Sequence, residues 1–120
     1  MRRGDDLRKR TKSFALRVIA LVDRLPRGKS SDVIGRQLLR SGTSVGANYR
    51  AACRAKSRAD FISKMGTIEE ETDESMFWME LLIESGLVQE QLLKDLMNES
   101  QEILAIIVSS IRTVRRAATA

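Results

Sequence analysis

Apolar residues recur at helical spacing along almost the whole chain, and the pattern breaks at three short stretches. Phe14, Val18, Leu21 and Leu25 fall at i, i+4, i+7 and i+11, one stripe of a helix, and Ile19 and Val22 widen it. The spacing predicts a first helix over 5–25, with Asp5 and Asp6 where negative charge suits a helix amino terminus. Pro26 and Gly28 end it. A second helix is expected over 31–54, with Ser30, Ser31 and Asp32 offering N-cap oxygens. Its seam runs Ile34, Leu38, Ser41, Val45, Asn48, Ala52, at alternating steps of four and three. A third helix over 58–85 starts at Ser57 and Asp60, a capping-box spacing with Asp in place of Glu. Phe61, Met65, Ile68, Thr72, Ser75, Met79 and Leu82 form its stripe, and Gly86 followed by Leu87 reads as the C-terminal stop. The fourth helix, over 89–117, shows Leu92, Leu96, Ile103, Ile107 and Val114. Four such helices joined by short turns predict an all-α fold: one antiparallel, up-down-up-down four-helix bundle over residues 1–120.

The middle of the second helix is unusual. Ser41, Gly42, Thr43, Ser44, Gly46, Ala47 and Asn48 are all small or polar. Each glycine in an exposed helix interior would cost roughly 1 kcal/mol relative to alanine. A chain that accepts this cost needs another backbone to come close, so the stretch is a packing seam.

Charge changes the picture along the chain. Residues 1–60 hold 16 Lys and Arg against 5 Asp and Glu, and residues 61–120 hold 5 against 11. The first half is basic and the second acidic, within a net charge of +5. Two explanations stand side by side: the halves pair with each other, within or between protomers, or the basic half presents a face to phosphate. The chain has no histidine, which removes the usual general base and the commonest transition-metal ligand. Its single cysteine, Cys53, forms no internal disulfide and reads as a small packing residue of a reduced, cytoplasmic protein. The amino terminus is too charged for a signal peptide, and no apolar run approaches the length of a membrane span.

The basic residues are the main functional candidates: Arg8, Lys9, Arg10, Lys12 and Arg17 on the first helix, and Arg50, Arg54, Lys56 and Arg58 around the second turn. Arg112, Arg115 and Arg116 near the end of the fourth helix also read as ordinary complements to a helix dipole. Aromatic platforms for unpaired bases are missing, so what remains is backbone binding to structured RNA or duplex, strong at low salt and weak in sequence preference. A second group reads as packing or interface. Asn48 sits among small residues as a register-fixing polar group, and Arg40 is placed to pair with Glu71 or Glu74. Trp78 reads as core or interface rather than as a stacking platform. The acidic run Glu69, Glu70, Glu71, Asp73, Glu74 lacks the histidines that carboxylate-bridged metal bundles require, so no metal and no cofactor are expected. There is no nucleophile beside a base and no glycine-rich phosphate loop, so no catalytic residue is assigned and an enzyme is not expected.

The order of these residues resembles the family of four-helix-bundle, or 23S rRNA intervening-sequence, proteins. The likeness rests on Gln37, Leu38, Arg40, Ser44, Val45, Gly46, Ala47 and Asn48, then Asp60, Phe61 and Lys64, and finally Glu71, Glu74, Trp78, Glu80 and Leu82. Glu70 departs from it, standing where that pattern often has Lys. The resemblance implies a homo-oligomer, a ring of five, with Arg40, Ser44, Gly46, Asn48, Glu71, Glu74 and Trp78 in packing or interface roles. It further implies RNA or DNA as partner and, through a related branch of accessory proteins of diversity-generating retroelements, a reverse transcriptase. The alternative is a protein-interaction scaffold whose charges serve only subunit pairing.

Overall fold

The computed structural model describes residues 3–119, with the side chains of residues 6–117, and within them the chain is an all-α four-helix bundle. Helix α1 spans Arg3–Asp23, α2 Lys29–Ala52, α3 Arg58–Glu84 and α4 Glu90–Thr119. Residues 24–28, 53–57 and 85–89 form the three connections, each of five residues, short enough to set successive helices antiparallel. The bundle is 51 Å long and 25 by 22 Å across. Packing is closest between α2 and α3 and between α1 and α2, and thinnest between α1 and α4.

Glycines set the distance between α1 and α2. A Cβ on Gly42 would stand 2.9 Å from both γ-methyls of Val18, and one on Gly46 would stand 3.2 Å from the carbonyl oxygen of Thr11. Gly35 meets Leu25 and Val22 in the same way. Rising numbers on α2 thus meet falling numbers on α1, which fixes the antiparallel sense. Val45, Leu38 and Ala52 turn into the core with Phe14, Met65, Ile68, Met79, Leu82, Ile103 and Ile107. Each fully buried Leu, Ile or Met contributes about 1.5–3 kcal/mol by leaving water. Two buried hydroxyls of this core are satisfied by their own helix. Thr72 donates to the Ile68 carbonyl at 2.7 Å and Ser100 to that of Leu96 at 3.0 Å.

Helix ends explain where the sequence reading shifts. Helix α3 starts as expected, with the Ser57 hydroxyl accepting from the Asp60 N–H at 3.0 Å. The Asp60 carboxylate reaches back to the Lys56 N–H at 3.1 Å, one residue earlier than in a standard capping box. Gly86, at φ 80°, takes the left-handed position after α3. Val88, more deeply buried than Leu87, returns its N–H to the Leu82 carbonyl at 3.0 Å. Helix α2 begins two residues earlier than expected, and its N-cap is Gly28 (φ 147°), with no side-chain cap. Ser31 is instead buried, and its hydroxyl finds no partner among the described residues. The Asp5 side chain lies outside the described residues; Asp6 is exposed in the first turns of α1.

Three apolar assignments are corrected. Leu92 is 71% exposed, while its neighbour Leu93 is fully buried, and Ile111 joins the α4 stripe. The stripe runs Leu93, Leu96, Ser100, Ile103, Ile107, Ile111, and the buried Ser100 hides its phase from a purely apolar count. Ile19 is 38% exposed and lies outside the α1 stripe. Cys53 caps α2 and is exposed, so it is not a packing residue. Among the described residues, no helix is long and apolar enough to cross a membrane.

Candidate nucleic-acid interface

The close approach of α1 and α2 at Gly46 leaves a cleft of about 420 Å³ on the outer side of the pair. Half-buried Ala15, Thr43 and Gly46, with Ala47 beside them, make a floor of small residues. Exposed Arg8 and Lys12 rise from α1 on one wall, and exposed Arg50 and Arg54 from the end of α2 on the other. Arg8 and Lys12 have i, i+4 spacing and lie on one face of α1, while Arg50 closes α2 and Arg54 stands in the turn just after it. Lys12, Arg50 and Arg54 make no ion pair among the described residues. Arg50 lies in the last turn of α2, where a cation also complements the helix dipole.

The other basic candidates are placed differently. Arg10 leaves the basic face. Its guanidinium grips Glu99 of α4 through Nε at 3.0 Å and Nη2 at 2.7 Å, and reaches Glu102 at 3.2 Å. These contacts hold its pKa well above the usual arginine value, the hydrogen bond to Glu99 being the main cause. Arg17 lines a different cleft, of about 690 Å³, between α1 and α4 beside Arg24, Leu25 and Leu92. Lys9 is exposed on α1, and Lys56 and Arg58 are exposed at the α2–α3 connection.

The residues expected to pack lie mostly on the α2–α3 side. Arg40 bonds Gln37, Glu71 at 3.1 Å and Glu74. Glu74 also accepts from the Trp78 indole N–H at 3.0 Å. That indole bond, followed by Arg40, holds the Glu74 carboxyl below its ordinary range. The half-buried Asn48 donates to the Ser44 carbonyl at 2.9 Å and to the Ser44 hydroxyl at 2.7 Å, both within its own helix, so its amide is satisfied locally. Lys64 pairs with Asp60 at 2.5 Å. It is the first cause of a lowered Asp60 pKa, ahead of the Lys56 N–H.

The basic and acidic halves therefore do meet within one chain, and two nodes stand out among the described residues. Each node is one arginine held by two glutamates: Arg10 with Glu99 and Glu102, and Arg40 with Glu71 and Glu74. Glu99 and Glu102 were not foreseen, because nothing local to α4 says which α1 residue they face. The floor residues Ala15 and Thr43 also carry no chemical signal of their own; only the small-residue run that includes Thr43, Gly46 and Ala47 hinted at them.

Comparison with known proteins agrees with this architecture. No curated protein matches the sequence. A crystal structure of a protein of unknown function from the S23 ribosomal protein family of Bacteroides thetaiotaomicron VPI-5482 is 37% identical, with a TM-score of 0.83. The match covers 88% of this chain and 97% of that one. The sequence model of the 23S rRNA-intervening sequence proteins matches residues 5–109, nearly the whole bundle. With glycine-spaced helices, the Arg40 node and the family pattern all in one frame, the chain belongs to the 23S rRNA-intervening sequence protein family.

Proposed function

We propose that the chain is a non-enzymatic nucleic-acid-binding protein that engages the phosphate backbone of RNA or DNA with its α1–α2 face. The observation that carries this reading is the cleft itself, with four cations on two walls and small residues between them. The aromatic residues support backbone contact rather than base stacking. Phe14 and Tyr49 are buried, and Phe77 and Trp78 stack edge-on with each other on the acidic helix α3. In a homo-oligomer, such as the ring of five that the family resemblance implies, the cleft is repeated, and linked sites gain avidity without new contacts. An accessory role beside a reverse transcriptase belongs to the same proposal.

Fluorescence anisotropy with structured RNA and duplex DNA across a salt series tests it, on protein whose mass is set by light scattering. Binding that weakens steeply with salt, and falls when Arg8, Lys12, Arg50 and Arg54 become Glu, is the expected result. Absence of binding at low salt by the intact protein overturns it.

A second reading, a scaffold whose charges pair subunits, is favoured by one feature. Glu80, Glu84 and Glu90 line an acidic groove between α3 and α4, away from the basic cleft. Under that reading the same Glu substitutions dissociate the oligomer instead.

A further inference from the structure

We infer that the α1–α2 cleft seats a run of successive phosphates from one nucleic-acid strand, rather than acting as part of a diffuse positive surface. The inference rests on the nucleic-acid reading above and specifies how the ligand lies. The antiparallel register supplies the geometry. The Thr11 carbonyl faces Gly46, so Lys12 lies level with Gly46. Moving one turn along α2 reaches Arg50, and one turn back along α1 reaches Arg8, so these two share a level. A further turn reaches Arg54, in the turn that continues α2, where its N–H bonds the Ala51 carbonyl at 3.0 Å. Along the two helices the cations thus form two levels, Lys12 and then Arg8 with Arg50, about 6 Å apart, the rise of four helical residues, and Arg54 follows them in the turn after α2. That step is close to the distance between successive phosphates along a strand.

The lining supports a backbone ligand. Ala15, Gly46 and Ala47 offer no side-chain hydrogen bond, and no Asn, Gln, Asp or Glu lines the cleft to read an adenine or cytosine edge. Thr43 turns its hydroxyl to the Leu39 carbonyl at 2.7 Å. A space of about 420 Å³ admits the phosphates of one strand but not a duplex, so the bases point outward.

Competition of labelled structured RNA with inorganic tripolyphosphate or orthophosphate, at matched ionic strength and matched total phosphate, tests the track. Tripolyphosphate is expected to displace RNA at a concentration about tenfold or more below orthophosphate, because its phosphates are linked. Ala47→Leu fills the floor without changing charge, on an exposed helical site that accepts Leu. It is expected to weaken RNA binding about tenfold with helix content and urea midpoint retained, whereas Lys9→Gln, outside the cleft, changes it by no more than about threefold. RNA binding that Ala47→Leu leaves intact, with tripolyphosphate no better than orthophosphate, would overturn the track and leave the nucleic-acid reading standing. Calorimetric binding of tripolyphosphate that Ala47→Leu abolishes, in a protein that ignores RNA, would keep the track and overturn that reading.

Discussion

The hydroxyl oxygens of Ser41 and Ser75 lie 2.9 Å apart in the middle of the α2–α3 contact, both side chains fully buried. The Leu38 carbonyl, 3.3 Å from Ser41, and the Glu71 carbonyl, 2.8 Å from Ser75, complete the group. Two protons are shared among hydroxyl and carbonyl acceptors, so neither hydroxyl depends on the other alone. Ser75→Ala is therefore expected to cost only about 1 kcal/mol in urea unfolding. Ser41→Leu must force extra volume between two closely packed helices and is expected to cost about 1–3 kcal/mol. The double alanine variant should be less destabilised than the sum of the two single alanine changes, because it leaves no buried hydroxyl behind. A strictly additive result would show that the pair is not coupled.

Two helical glycines with opposite surroundings make a second test. Gly42 has the γ-methyls of Val18 at 2.9 Å from its would-be Cβ, whereas Gly66 has nothing within 4 Å. Valine is stiff at χ1 and cannot swing aside. Gly42→Ala is expected to destabilise the bundle by about 1–3 kcal/mol despite the better helix propensity of alanine. Gly66→Ala is expected to stabilise it by about 0.4–1 kcal/mol. Adding Val18→Ala to Gly42→Ala should recover part of the loss from the clash, a coupling that thermal melts of the four-variant cycle would measure.

Acid sensitivity should centre on Glu74. The Trp78 indole and then Arg40 lower its folded pKa beneath the ordinary value of 4.5. A carboxylate whose folded pKa is depressed stabilises the fold above its unfolded pKa. That contribution drains away as pH falls through the folded value. Glu74→Gln should flatten the loss of stability as pH falls below about 4.5, while retaining an acceptor for the indole. Trp78 is the chain's one tryptophan, so its fluorescence reports the transition directly. An unchanged pH profile in Glu74→Gln would assign acid sensitivity elsewhere, with Asp60 next in line.

What could be read from the sequence depended on whether the signal was local. The α3 stripe, the Ser57 cap and the Gly86 stop are each decided within a turn or two, and all three stand in the structure. The α4 phase was harder, since Leu92 and Leu93 are both leucine and only Ser100, a buried hydroxyl bonded to the Leu96 carbonyl, fixes which one faces inward. For the site, the two groups of cations, on the first helix and around the second turn, were visible. Which cations point outward was not, because adjacent residues on a helix point about 100° apart. Lys9 and Arg10 look alike in sequence, yet Arg10 reaches carboxylates 89 and 92 positions away. Only the rotation of α1 against α4 decides this.

That division between Arg10 and Arg50 gives the most discriminating test of where the basic face lies. The Arg10 side chain is 26% exposed and its partner Glu99 18%, so Arg10→Gln leaves a partly buried carboxylate without its charged donor. It is expected to lower stability by about 1–2 kcal/mol. Its guanidinium already faces carboxylates, so RNA affinity and the salt slope should stay within about twofold of the parent. Arg50 is exposed and closes the last turn of α2, so Arg50→Gln should change stability by less than about 0.5 kcal/mol. It should instead weaken RNA binding several-fold and reduce the salt slope by about one unit, the loss of one phosphate contact. Urea unfolding and anisotropy on both variants give four numbers with a crossed pattern. If Arg10→Gln is the variant that loses RNA, the binding face runs along the α1–α4 side and the cleft beside Gly46 is not its centre.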